Sequence, residues 1–189
     1  MTGLTLLSRT FEAQAGFCER LGSPFNAVLA RRISEALAAG DDLEGLLAPW
    51  MGMPREALAD TAVTLRLLGA FHDLALSGEA PELAAAYPSA QFAGAPDEAW
   101  RLGRAAMKSQ RSRFAEFISH EPQTNEVRRS CVLLGGFLTI AEATRAPLRC
   151  FELGASAGLN LNWDSFGYRL GGHAWGDPAA AVQLANEWR

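Results

Sequence analysis

One stretch limits what this chain can fold into more than any other: Pro147-Leu148-Arg149-Cys150-Phe151-Glu152-Leu153-Gly154-Ala155-Ser156-Ala157-Gly158-Leu159-Asn160. Leu148, Cys150, Phe151 and Leu153 form an apolar run of strand length without helical spacing, and Pro147 punctuates its start. Glu152 closes the run, and Gly154 and Gly158 follow with only Ala and Ser between them. Glycine turns the backbone at positive φ and removes the Cβ that would hold a ligand off. The pattern predicts a buried strand, a tight loop and a helix. Glu152 then lies at the carboxyl end of the strand, the edge at which open α/β sheets bind ligands.

Three chemistries fit the loop. Gly154-Ala155-Ser156-Ala157-Gly158 satisfies G-x-S-x-G, in which Ser156 would be the nucleophile of a serine hydrolase. Dinucleotide binding requires a glycine at the second position of G-x-G-x-x-G, and Ser156 occupies it. An acid, one residue, glycine, three small residues and glycine resembles the nucleotide loop of class I methyltransferases. That resemblance implies S-adenosylmethionine as cofactor, with Glu152 accepting from its ammonium group and Asn160 as a second polar contact. Gly154, Ala155, Ser156 and Gly158 would form the loop passing its methionine part. A hydrolase elbow needs an acid and then a histidine downstream. Only 31 residues follow Gly158, and Asp164 and His173 come too soon after Ser156 for the intervening strands. The bland alternative is that the two glycines only make a tight corner.

The composition is that of a globular protein, 49% hydrophobic and 20% charged over 189 residues. A net charge of −4 gives no bulk attraction to nucleic acid or anionic membrane, so neither is expected as a partner. Cys18, Cys131 and Cys150 are odd in number and lack CxxC spacing, which fits a reducing compartment and argues for no metal site. Leu4, Leu6 and Leu7 are followed at once by Arg9 and Glu12, which is neither a signal peptide nor a membrane span. The cytoplasm is the expected location.

Before Pro147 the chain reads as helices. Phe11, Ala15, Cys18 and Leu21 share one face, and Gly22-Ser23-Pro24 supplies a stop, a cap and a first-turn proline. Phe25 to Leu37 is the next helix, ended by Gly40, and Asp41 or Asp42 caps a short third one. Pro54 to Ser77 predicts one long helix with Leu58, Ala62, Leu65, Leu68, His72 and Leu76 on its inner stripe, His72 as a hydrogen-bonded core residue. Pro81–Ala86 is a short helix, and a long one runs from Asp97 through Phe117, its outer face basic with Arg101, Arg104, Lys108, Arg111 and Arg113. That face is read as solvated, not as an RNA-binding surface. Thr124-Asn125 caps a last helix carrying Val127, Cys131, Leu134 and Leu138. Asn125, Glu126 and Arg129 at its start are candidate substrate or supporting residues, because this helix leads into the strand. Leu159 to Trp163 is read as the helix after the loop, Phe166 to Trp175 as a hairpin across Gly171-Gly172, and Ala179 to Arg189 as helix-compatible.

Taken jointly, Phe11-x-x-Gln14-Ala15, Gly22-Ser23-Pro24, Leu65-Arg66-Leu67-Leu68-Gly69-Ala70-x-His72, Tyr87-Pro88-Ser89, Thr124-Asn125-Glu126-Val127 and Glu152-Leu153-Gly154-Ala155-Ser156-Ala157-Gly158-Leu159-Asn160 resemble an uncharacterised bacterial family, designated only as a domain of unknown function. The resemblance implies a helical N-terminal part followed by a methyltransferase-like fold, and members that continue past residue 189. The expected architecture is therefore mainly α: a helical domain over 1–145, then over 146–189 the first strand, glycine loop and hairpin of an incomplete Rossmann-like α/β unit. Its function would be S-adenosylmethionine binding with an unknown methyl acceptor and no nameable general base. The alternatives are the Ser156 hydrolase and a non-enzymatic interaction module, in which an unpaired strand edge joins another chain, for example as a homo-oligomer.

Overall fold

The computed structural model describes residues 3–89, 91–122 and 126–186. Its contacts divide the chain into two compact units, Met1–Pro122 and Gln123–Arg189.

The first unit holds seven helices among the described residues: α1 (Gly3–Arg20), α2 (Pro24–Ala38), α3 (Arg55–Asp60), α4 (Val63–Leu76), α5 (Pro81–Ala86), α6 (Pro96–Ser109) and α7 (Arg111–Ser119). Its core joins Leu7, Phe11 and Ala15 of α1 to Leu29, Ile33 and Leu37 of α2, and continues through Leu67, Phe71 and Leu74 to Met107 and Phe114. Each such side chain taken out of water contributes about 1.5–3 kcal/mol. Inside the α1–α2 contact, Ser8 Oγ donates to the carbonyl of Ser34 at 3.0 Å and Ser34 Oγ donates to that of Ser8 at 2.8 Å. Two buried hydroxyls are thereby satisfied and fix the register of the pair.

Several expectations hold. Pro24 opens α2, although the hydroxyl of Ser23 makes no cap bond and instead accepts from Asn26 Nδ2 at 3.0 Å. Asp41 accepts from the backbone N–H of Leu43 at 2.8 Å, and the short third helix is a single 3-10 turn, Leu43–Gly45.

The long helix over 54–77 is broken instead. Ala62 adopts the left-handed conformation (φ 51°, ψ 30°) and separates α3 from α4. Arg66 holds the break from within: its Nε donates to the carbonyl of Thr61 at 2.7 Å. The inner face of α4 is correspondingly rotated. Thr64, Leu67, Leu68, Phe71, Leu74 and Ala75 are buried, whereas Leu65, His72 and Leu76 are exposed. Both stripes have helical period; Leu58 and Leu68 of the expected one are buried, and Phe71 takes the place expected for His72. His72 is therefore no core residue; its ring stacks on Tyr87 with centroids 5.2 Å apart. The helix over 97–117 is likewise two, broken at Gln110 (φ −122°, ψ 37°).

The basic face of α6 and α7 is tied to acids of the same unit. Arg104 grips Asp41 at 2.8 Å and Glu44 at 2.9 Å, and Arg113 bridges Asp73 and Glu79, each at 2.7 Å. Those arginines staple helices to the loops and helices beside them.

The second unit consists of α8 (Arg129–Thr144), a 3-10 segment Leu159–Ser165 and a three-stranded sheet. Strands β1 (Gly167–Leu170) and β2 (His173–Trp175) form the expected antiparallel hairpin, with Tyr168 opposite Trp175. The segment read as helix-compatible after Ala179 is strand instead: β3 (Gln183–Asn186) lies parallel to β1. Gln183 selects that course, since its Nε2 donates to the carbonyls of Asp177, Pro178 and Ala180 and folds the connection back. A small core of Cys131 and Leu134 from α8 with Phe166 and Tyr168 joins helix to sheet.

The apolar run before the glycine loop is not a strand. Among the described residues Leu148–Gly154 make no backbone hydrogen bond, and none of the three strands lies beside them. Phe151 and Leu153 point outward, 84% and 99% exposed. The structure is thus mainly helical with a small sheet, coarser than the Rossmann-like start expected.

Candidate functional site

Three successive segments of the second unit enclose a cleft of about 470 Å³: α8, the extended run after it and the 3-10 segment. Leu133, Phe137 and Ile140 fall at i, i+4 and i+7 of α8 and so share one wall. Phe151 and Glu152 come from the extended run, and Asn160 and Trp163 from the 3-10 segment. The indole of Trp163 is held between the Phe137 ring, 4.6 Å away, and the Trp175 ring of β2, 5.6 Å away. The hydroxyl of Tyr168 donates to the carbonyl of Trp163 at 2.8 Å and fixes that backbone from below.

Within these apolar and aromatic walls sits one carboxylate. Glu152 Oε2 is shielded from solvent and has no hydrogen-bond partner. A shielded acceptor oxygen without a partner is a place for a cation or an N–H donor to bind. Asn160, only 5% exposed, and Arg149 are the other polar residues that line the cleft beside Glu152.

The loop between them turns at Gly154 (φ 68°), Ser156 (φ 54°) and Gly158 (φ 69°). A side chain added at Gly154 would meet nothing within 4 Å, so protein packing does not explain its glycine; the backbone turn does. The N–H of Gly158 donates to Ala155 at 2.8 Å and closes the turn that delivers Asn160 to the cleft.

Of the residues expected from the sequence, Glu152 and Asn160 are brought together in the cleft wall. Gly154, Ala155, Ser156 and Gly158 form the connecting loop and are not among the lining residues. Glu126 and Arg129 are exposed at the start of α8 and do not line it either, and Asn125 lies outside the described residues. Phe137 and Trp163 were not legible as site residues. Phe137 follows Gly135-Gly136 on a helix that is apolar on nearly every side, and no period singles it out.

Fold and site together define a mainly helical protein whose C-terminal unit carries an acid in an aromatic cleft beside a glycine loop. The family model described as an uncharacterised protein conserved in bacteria (DUF2332) matches residues 8–189, and the chain belongs to that family. No curated protein and no solved structure matches it.

Proposed function

We propose that the cleft of the second unit binds S-adenosylmethionine and that the protein is a methyltransferase or derives from one. The observation that carries this reading is the shielded, unpartnered carboxylate oxygen of Glu152 at the entry to a glycine loop. The cofactor's amino-acid end offers an ammonium that matches this oxygen, and its sulfonium is a second positive charge suited to aromatic walls. Glu152 accepts from the ammonium and Asn160 supplies the second polar contact, the Gly154–Gly158 loop joining the two. When bound, the cofactor supplies an electrophilic methyl group. The protein's part is then positioning, because a methyl acceptor must be held in line at near contact. Phe137 and Trp163, whose rings pack 4.6 Å apart, shield that face from water.

Replacing Glu152 by Ala removes the only carboxylate lining the cleft and is expected to lower S-adenosylhomocysteine affinity at least about a hundredfold, as loss of a buried charge pair costs several kcal/mol. Unchanged affinity would refute the assignment.

Ser156 keeps the hydrolase reading testable, because it stands exposed at positive φ between two glycines, as a nucleophile on a strained turn would. Labelling by a fluorophosphonate that vanishes in Ser156→Ala would support that chemistry; absence of labelling removes it.

A further inference from the structure

The first unit contains a cavity that the cofactor reading does not use. It measures about 520 Å³ and lies between α1, α3 and α4, in the range typical of small-molecule sites. Ala62, the left-handed residue between α3 and α4, is itself among its lining residues.

Its lining is amphipathic in a definite sense. Leu6, Phe17, Leu58 and Val63 supply apolar walls, and Phe17 remains 53% exposed although it is large and aromatic. The polar neighbours are satisfied internally. Thr64 Oγ1 donates to Gln14 Oε1 at 3.1 Å, and Thr10 Oγ1 donates to the carbonyl of Leu6 at 2.9 Å. Charge comes from Arg9 and Arg55 alone, with no aspartate or glutamate among the lining residues. Arg55 makes no ion pair among the described residues, whereas Arg31, Arg32, Arg101, Arg104 and Arg113 are all paired with acids.

We infer that this cavity binds an amphipathic carboxylate, its head on Arg55 and Arg9 and its hydrocarbon body against Leu6, Phe17 and Leu58. A planar guanidinium meets a carboxylate through two parallel hydrogen bonds, which selects that head group over an alcohol or an ammonium. The apolar walls then favour a tail of several methylenes.

The test uses the full chain with decanoate below its micelle concentration, titrated calorimetrically, and decyltrimethylammonium as the same tail with the opposite head. One decanoate per chain is expected. Arg9→Gln/Arg55→Gln should weaken it at least about tenfold, the loss of roughly one charge-assisted contact, and Arg9→Lys/Arg55→Lys should recover only part of that loss because lysine keeps the charge but not the fork, while Glu152→Gln leaves it within about threefold. Ala59→Trp, at an exposed lining position, should block it by filling the cavity. Absence of saturable decanoate binding would overturn the inference. So would equal affinity for the cationic amphiphile, or binding indifferent to both the double Gln variant and Ala59→Trp.

Discussion

Tyr87 shows how a single side chain is placed by competing demands. Its ring packs on Phe25, centroids 4.8 Å apart, and on His72, yet its hydroxyl is shielded and has no partner. Burial pushes its pKa up from the ordinary tyrosine value, so the group stays protonated. Tyr87→Phe keeps the ring contacts and removes the orphaned hydroxyl. It is expected to raise stability by about 1 kcal/mol, read as a higher urea midpoint at unchanged slope; a fall would show that the hydroxyl has a partner in solution. Cys131 and Tyr168 are raised by burial as well. Groups whose folded pKa is raised contribute stability that is complete below their unfolded pKa and is lost as pH rises through the folded one. Stability should accordingly decline on the alkaline side, above the ordinary thiol range, and Cys131→Ser/Tyr168→Phe should flatten that decline in a pH series of denaturation midpoints. At this scale the sequence named Glu152 and Asn160, because an acid before a glycine loop is a local pattern. It could not name Trp163 or Phe137, whose role depends on rings brought together from α8, the 3-10 segment and β2.

Helices were legible where one residue or one period dictates them, and misread where a distant group decides. Pro24 and Pro81 each stand at a helix start, as fixed φ favours, and α6 begins at Pro96, one residue before the expected Asp97. The break at Ala62 has no such mark, since alanine is the best helix former and the group that bonds across the break, Arg66, lies beyond it. Arg66 is 8% exposed and donates to Thr61, Ile118 and Ser119 carbonyls, so one guanidinium both holds the break and satisfies the C-terminal end of α7. Arg66→Met leaves those carbonyls without a donor and is expected to cost about 3 kcal/mol in chemical denaturation; a loss under about 1 kcal/mol would mean that water replaces the guanidinium. The contact of α6 with α4 depends on a missing side chain. A Cβ at Gly103 would overlap the Phe71 ring, so Gly103→Ala should destabilise by about 1–3 kcal/mol despite alanine's better helix propensity, while Gly103→Ala/Phe71→Leu recovers part of the loss.

For the whole molecule, the sequence reading drew a helical domain over 1–145 and a glycine-loop unit over 146–189, whereas the contacts group the chain as Met1–Pro122 and Gln123–Arg189 and so count α8 with the second unit. The larger buries an aromatic and aliphatic core of its own. Residues 1–122 alone are therefore expected to give a helical spectrum and one cooperative thermal transition; a molten, dye-binding fragment would contradict that independence. What could not be read was sheet pairing beyond the β1–β2 hairpin. Leu148–Leu153 has strand composition, yet pairing depends on which strands lie alongside, and here β1 takes β2 and β3 as neighbours. The central claim concerns the cleft that this run helps to build, and calorimetric titration of S-adenosylhomocysteine into the 189-residue chain tests it most directly. One ligand per chain at micromolar affinity, lost in Glu152→Ala, is the predicted result. No heat of binding at millimolar ligand, or binding that Glu152→Ala leaves intact, would contradict it.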